Sequence, residues 1–143
     1  MNQNCAYCME GELVAKFGIK ICDLPASKLY LFKEQSHPGR VIVASKYHVS
    51  EMGDLNEADR MAFLADVNRV SEALHTAFAP AKVNYGAYGD TGCHLHFHLV
   101  PKYTDEFEWG GTFAMNPDLK YLSDDEYNAT IAKIKDALGR SEE

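Results

Sequence analysis

Three histidines alternate with bulky apolar residues in His94-Leu95-His96-Phe97-His98, and Leu99, Val100 and Pro101 continue the run. A period of two marks a half-buried strand, and side chains at i, i+2 and i+4 of a strand share one face. The pattern therefore predicts His94, His96 and His98 on one side and Leu95, Phe97 and Leu99 on the other, toward a core. Imidazole serves as metal ligand, nucleophile or acid–base group near neutral pH. One ion cannot take all three unless the strand bends sharply. At ~3.3 Å per residue, i and i+4 stand ~13 Å apart, whereas zinc lies ~2 Å from its nitrogen ligands. The three rings therefore divide their labour. The plainer alternative is a polar strand face lined by solvated imidazoles.

Two further clusters carry chemistry. Cys5 and Cys8 enclose two residues at the N-terminus, a spacing that lets two thiolates grip one tetrahedral ion. Two more ligands are needed, and histidines are available. A redox pair is the competing reading, but it wants a βαβ setting that is missing around residue 5. The second cluster is Gly89-Asp90-Thr91-Gly92-Cys93, shortly after Asn84-Tyr85-Gly86. Glycines let successive backbone N–H groups form an anion nest, and the Thr91 hydroxyl adds a donor. By itself the loop is an ordinary hairpin connection; its place directly before the histidines points to phosphate. Cys22 and Cys93 read as buried or semi-buried thiols. His37 and His75 have no evident partner and read as exposed.

The elements that must position these groups follow from periodicity. Residues 13–16, 19–23 and 29–32 read as short strands, residues 36–39 as a turn, and residues 40–44 as a β-branched strand. Asp54 opens a helix of about 22 residues, with Glu57 completing a capping pattern. Met61, Leu64, Val67, Val70 and Leu74 form its predicted core stripe, and Pro80 closes it. Residues 82–88 make the next strand, and the glycine loop and the histidine strand follow. Ser123-Asp124-Asp125-Glu126 caps a C-terminal helix with Tyr127, Ile131, Ile134 and Leu138 on its apolar side. Strands clustered about one long helix, with tight connections, favour an antiparallel α+β domain spanning residues 1–143.

Bulk properties narrow the partners. The formal charge is −7, and the Lys and Arg residues are scattered, so no nucleic-acid polymer is expected and any phosphate recognition must be local. No apolar run approaches the ~20 residues that span a bilayer, and no signal peptide is visible. The expected compartment is the cytoplasm, where four cysteines act as thiols or metal ligands rather than disulfides.

The run 94–100 resembles the signature of the histidine triad (HIT) superfamily of nucleotide hydrolases and transferases, in which three histidines alternate with apolar residues. Pro101-Lys102, the upstream Asn84-x-Gly86, Thr91 five positions before the central histidine, and a strand closing in Ser45-Lys46-Tyr47-His48 extend the likeness. The N-terminal Cys-x-x-Cys is typical of zinc-bearing members. The resemblance implies an α+β fold with a sheet of about five antiparallel strands, which usually joins a twofold partner as a ten-stranded sheet. It implies a homodimer, His96 as nucleophile, and a structural zinc held by Cys5, Cys8, His48 and His94. Two departures stand out. Arg40 replaces a histidine common at its position and is expected as a phosphate-side cation or a surface residue. Glu34 stands near a segment where many members place an aspartate at the ribose.

The mechanism expected from this likeness is attack of His96 on the α-phosphorus of a nucleotide derivative, followed by hydrolysis of the nucleotidyl-histidine. His98, Thr91 and backbone donors around Gly92 stabilise the phosphoryl oxygens and leaving group. Asn84, Gly92, Cys93, Glu34 and Arg40 are the substrate-side candidates. Dinucleoside polyphosphates, nucleoside phosphoramidates and adenylates are the substrate classes. A nucleotide-binding regulatory module, a metal-dependent hydrolase and a nucleotidyltransferase are the competing functions. Trp109 is expected to anchor a loop on its own core or, alternatively, to reach a partner's site.

Overall fold

The computed structural model describes residues 4–91 and 93–141. Its centre is a five-stranded antiparallel sheet in the order β1-β2-β3-β5-β4. The strands are β1 (Gly18–Leu24), β2 (Ser27–Phe32), β3 (Val41–Ser45), β4 (Lys82–Gly86) and β5 (His96–Lys102). Two short helices, α1 (Ala6–Met9) and α2 (Glu12–Ala15), precede the sheet. The long α3 (Glu57–Phe78) joins β3 to β4, and α4 (Asp124–Ser141) closes the chain. The α+β antiparallel expectation holds. The segment 13–16 does not: it is the helical turn α2, which carries Val14 into an apolar cluster with Tyr7, Tyr30 and Phe32.

Alternation separates the sheet's two faces. Leu29, Leu31, Val41, Val43 and Leu99 form one face and pack against α3 and α4 through Phe63, Val67, Val70, Leu74, Ile134 and Leu138. Tyr30, Phe32, Ile42 and Ala44 lie on the other face, under Cys5, Tyr7 and Val14. Registers Ala44↔His96 and Ile42↔His98 place two of the histidines on this second face.

The long helix begins later than its capping pattern suggests. Asn56 is its N-cap, accepting from Asp59 N at 2.9 Å, while Asp54 ends a 3-10 turn, Met52–Asp54. The core stripe shifts accordingly. Val67, Val70 and Leu74 are buried as expected, but Met61 and Leu64 are 63% and 40% exposed, and Phe63 takes the core position. Asp66 is buried beside that stripe because its carboxylate accepts from Ala26 N at 2.8 Å and Ser27 Oγ at 2.7 Å. This tie fixes α3 to the β1–β2 turn. The Ser123–Glu126 capping box of α4 forms as read, with reciprocal bonds of 3.0 and 3.2 Å.

Residues 103–122 form a strap without regular structure that crosses the histidine face, and buried charged side chains fasten it. Lys102 Nζ donates to Glu108 O and Gly111 O at 2.7 and 2.8 Å. The Glu108 carboxylate accepts from Ala114 N at 3.0 Å and from His37 Nε2 at 2.6 Å. His37 is therefore buried rather than exposed, and burial lowers its pKa more than Glu108 raises it. His75 is exposed as expected. Trp109 belongs to neither apolar cluster and is 40% exposed, so it does not anchor the strap on the core. No described helix is long and apolar enough to cross a membrane.

Candidate active site and metal centre

β5 is the element that delivers the chemistry. Only His96 and His98 lie on it; His94 precedes it, where the chain bends away from the ladder. That bend turns the three rings to two tasks.

His94 faces the N-terminus. Its Nε2–H donates to Ser45 O at 2.6 Å, which leaves Nδ1 as a bare acceptor. Within reach of Nδ1 are Cys5 Sγ at 3.3 Å, Cys8 Sγ at 3.6 Å and His48 Nδ1 at 3.1 Å. Cys8 Sγ also stands 3.2 Å from His48 Nδ1. All four donor atoms lie within 4.8 Å of one another. A tetrahedral ion with ~2.3 Å bonds to sulfur and ~2.05 Å bonds to nitrogen requires edges of about 3.3 Å between nitrogens and about 3.6 Å from sulfur to nitrogen. The cluster fits those edges, and a carbonyl fixes the His94 tautomer as ligand histidines require. Cys5, Cys8, His48 and His94 could thus hold a metal ion.

His96 and His98 face a cavity of about 900 Å³. His96 Nδ1–H donates to His94 O at 2.8 Å, so the lone pair sits on Nε2. Burial lowers the pKa of His96 against the effect of that hydrogen bond, so the ring is neutral at physiological pH. Tyr7, held between the two cysteines, packs its ring 5.2 Å from that of His96. His98 Nδ1 accepts from Arg40 Nη2 at 3.1 Å, which places its own proton on Nε2. Burial first, then the Arg40 charge and His96, push the His98 pKa down to about 3.

The walls of the cavity are aromatic. Phe17, Phe32, Tyr88 and Phe113 line it together with Ile42 and Met115. Gly86 is essential to this wall, because a Cβ there would stand 2.5 Å from the Phe113 ring. Phe113 in turn covers His98 and the Arg40 guanidinium.

The remaining candidates divide. Thr91 and Cys93 line the cavity, and Cys93 is exposed rather than buried; Cys22 is half-buried. Gly92 lies outside the described residues. Asn84 shares the histidine face through its register with Val100 but lies beyond Gly86 and does not line the cavity. Glu34 reaches the cavity wall, yet its carboxylate is engaged by Ser36 N and Oγ at 2.8 Å each, Leu119 N at 2.7 Å and Lys120 N at 3.2 Å. Burial opposes its ionisation, but these donors together hold its pKa below the usual range. Its observed work is to fasten the strap. Arg40 is neither a surface residue nor part of the cavity lining: it is 0% exposed and lies behind His98. Sequence reasoning missed Tyr7, Phe113 and Met115 as site walls. Tyr7 carried a signal in its place between the cysteines; the strap residues carried none.

Comparisons with known proteins agree with this fold. The HIT domain model matches residues 20–105. A histidine triad protein from Sinorhizobium meliloti 1021 superposes with a TM-score of 0.82 at 22% identity, covering 88% of this chain and 93% of that one. One from Marinobacter aquaeolei VT8 gives 0.82 at 20%, covering 90% and 94%. A zinc-bound histidine triad family protein from Mycobacterium smegmatis gives 0.67 at 17%, covering 97% and 96%. At these identities the structural likeness is one of fold. A comparison with curated proteins found no match.

Proposed function

The chain belongs to the HIT domain family, and from that premise we propose that it is a nucleotide phosphohydrolase working through a covalent nucleotidyl-histidine at His96. One observation carries the reading. The His94 carbonyl holds the proton of His96 on Nδ1, and Nε2 has no partner among the described residues, on the wall of the aromatic cavity. A neutral imidazole so oriented is a nucleophile whose cationic adduct the same carbonyl stabilises. His98 Nε2–H and the Thr91 hydroxyl supply donors toward phosphoryl oxygens, which suits a reaction governed by positioning and charge stabilisation. The aromatic wall suits a nucleobase.

Zinc is the ion the donor set favours, held by Cys5, Cys8, His48 and His94. Four protein ligands close the coordination sphere, so its contribution is to cross-link the N-terminus to the residues before β5. A homodimer is proposed through the outer edge of β4. The exposed Met61 and Leu64 lie on the same stripe of α3 as Ser71, which hydrogen-bonds Tyr85 of β4 at 2.7 Å. The stripe therefore borders that edge.

The deciding experiment is acid-quenched mass spectrometry after mixing the protein with a dinucleoside polyphosphate. A nucleotide adduct on the peptide containing His96 is expected. Turnover with no adduct on that histidine at any time point refutes the covalent route.

A further inference from the structure

Arg40 is not accounted for by the nucleophile or the metal cluster. It is fully buried, and no carboxylate of the described residues forms an ion pair with it. Glu34 and Glu108 act on it only from beyond contact, and removing a guanidinium from water without a contact counter-ion is costly, so its fixed contacts indicate what it does. Nη1 donates to Ala114 O at 3.0 Å, and Nη2 donates to Met115 O at 2.8 Å and to His98 Nδ1 at 3.1 Å. Its plane packs on Phe32 and Phe113, 4.2 and 4.9 Å from the ring centroids. Its Nε has no hydrogen-bond partner among the described residues.

A guanidinium has donors only. His98 Nδ1 must therefore present its lone pair, and the ring proton must sit on Nε2. A second proton on His98 would set an N–H against the guanidinium at hydrogen-bond distance inside a dry wall. The charged and titratable groups acting on His98 are Arg40 and His96, and both oppose that proton. His98 can lend a hydrogen bond but has no proton to give away.

We propose that Arg40, by holding His98 as a neutral Nε2–H donor, makes this site selective for leaving groups that depart as stable anions: phosphoric and carboxylic–phosphoric anhydrides are preferred over phosphoramidates. This rests on the nucleotidyl-histidine reading. In the first step His96 Nε2 bonds to the α-phosphorus and the P–O bond to the leaving group breaks. Phosphate or carboxylate takes the electron pair and needs no proton. In a phosphoramidate the departing nitrogen must acquire a proton to leave as an amine, and the ring beside it supplies none. In the second step water attacks phosphorus, the P–Nε2 bond breaks with its electron pair returning to His96, and the surplus proton of water passes to solvent. Lys16 and Lys33 line the same cavity, and their charge suits an anionic leaving group. Arg40 is thus a positioning residue that acts through His98.

The test compares kcat/KM for a diadenosine polyphosphate and for an adenosine 5′-phosphoramidate with an alkylamine leaving group, using the full chain and its Arg40→Met variant. Histidine ¹⁵N NMR of the same proteins reads the tautomer. The wild type should prefer the anhydride by about 100-fold, and Arg40→Met should shrink that ratio at least tenfold as His98 gains access to its protonated form. The wild-type His98 resonances should remain those of the Nε2–H tautomer from pH 5 to 8. A wild-type preference below tenfold, or titration of His98 within that range, overturns the proposal. If Arg40→Met does not fold, the wild-type ratio and spectrum decide by themselves. Adduct formation on His96 with equal rates on both substrates refutes the selectivity and leaves the hydrolase reading standing. Absence of turnover and of adduct with either substrate refutes both.

Discussion

Two adjacent imidazoles on β5 carry opposite tautomers because different neighbours hold their Nδ1 atoms. His96 Nδ1–H donates a hydrogen bond to a carbonyl, whereas His98 Nδ1 accepts one from a guanidinium. A lone pair on His96 Nε2 thus sits next to a donor on His98 Nε2, with ring centroids 5.4 Å apart. That pairing of nucleophile and oxygen-stabilising donor is what a phosphoryl centre needs. His96→Ala should reduce turnover by on the order of 10³-fold or more. The half-buried ring makes one backbone hydrogen bond, so the thermal midpoint should move by only a few degrees. A variant that retains wild-type kcat would remove His96 from the mechanism.

At the level of elements, the cavity depends on how the strap 103–122 is tied across the sheet. Glu34, two residues beyond β2, is one of its fasteners, gripping Leu119 and Lys120. Its pKa is depressed in the fold, so its contribution is present above the unfolded value of ~4.3 and is lost as pH falls through the folded value. Glu34→Gln should therefore cost about 1–3 kcal/mol at pH 7. The gap between variant and wild type should narrow as pH falls below the unfolded value of ~4.3. Denaturant melts at pH 7 and pH 3.5 measure this. A gap that widens on acidification would show that the carboxylate is not the fastener. A metal ion held by Cys5, Cys8, His48 and His94 would be the second tie, joining the segment around α1 to the residues flanking β3 and β5. Protein purified without added metal should contain about one zinc per chain, and a strong chelator should lower its melting temperature. Elemental analysis with calorimetry checks both, and a metal-free preparation of undiminished stability would contradict the assignment.

For the whole molecule, one sheet carries a packed core on one face and an aromatic-walled cavity on the other. The α3–α4 layer supplies rigidity, and the N-terminal segment and strap shape the cavity. The remaining edge, β4, is bordered by Met61 and Leu64, which is a poor surface to leave in water. Light scattering should give the mass of a dimer. The double substitution Leu64→Glu and Tyr85→Glu should yield monomers without loss of helix signal in circular dichroism. A wild-type monomer at micromolar concentration would exclude the ten-stranded assembly.

Local pattern was sufficient for much of this. Alternation in residues 96–99 was enough for a strand with one polar and one apolar face, because the strand period is fixed by backbone geometry, but the same pattern at residues 94 and 95 did not extend it, since the chain bends before β5. The Cys-x-x-Cys spacing and the α4 capping box were likewise legible, since each is a short-range constraint. The tertiary structure alone decided what depends on partners distant in sequence. It buried Arg40 behind His98, occupied the Glu34 carboxylate with Leu119 and Lys120, drew His37 to Glu108, and set Phe63 rather than Leu64 in the core of α3. It also bent the chain at His94, which turns that ring toward Cys5, Cys8 and His48 and leaves His96 facing the cavity. A charged side chain's environment is set by which donors, acceptors and rings the fold packs around it, and those come from segments as far as 86 residues away, as with Glu34 and Lys120.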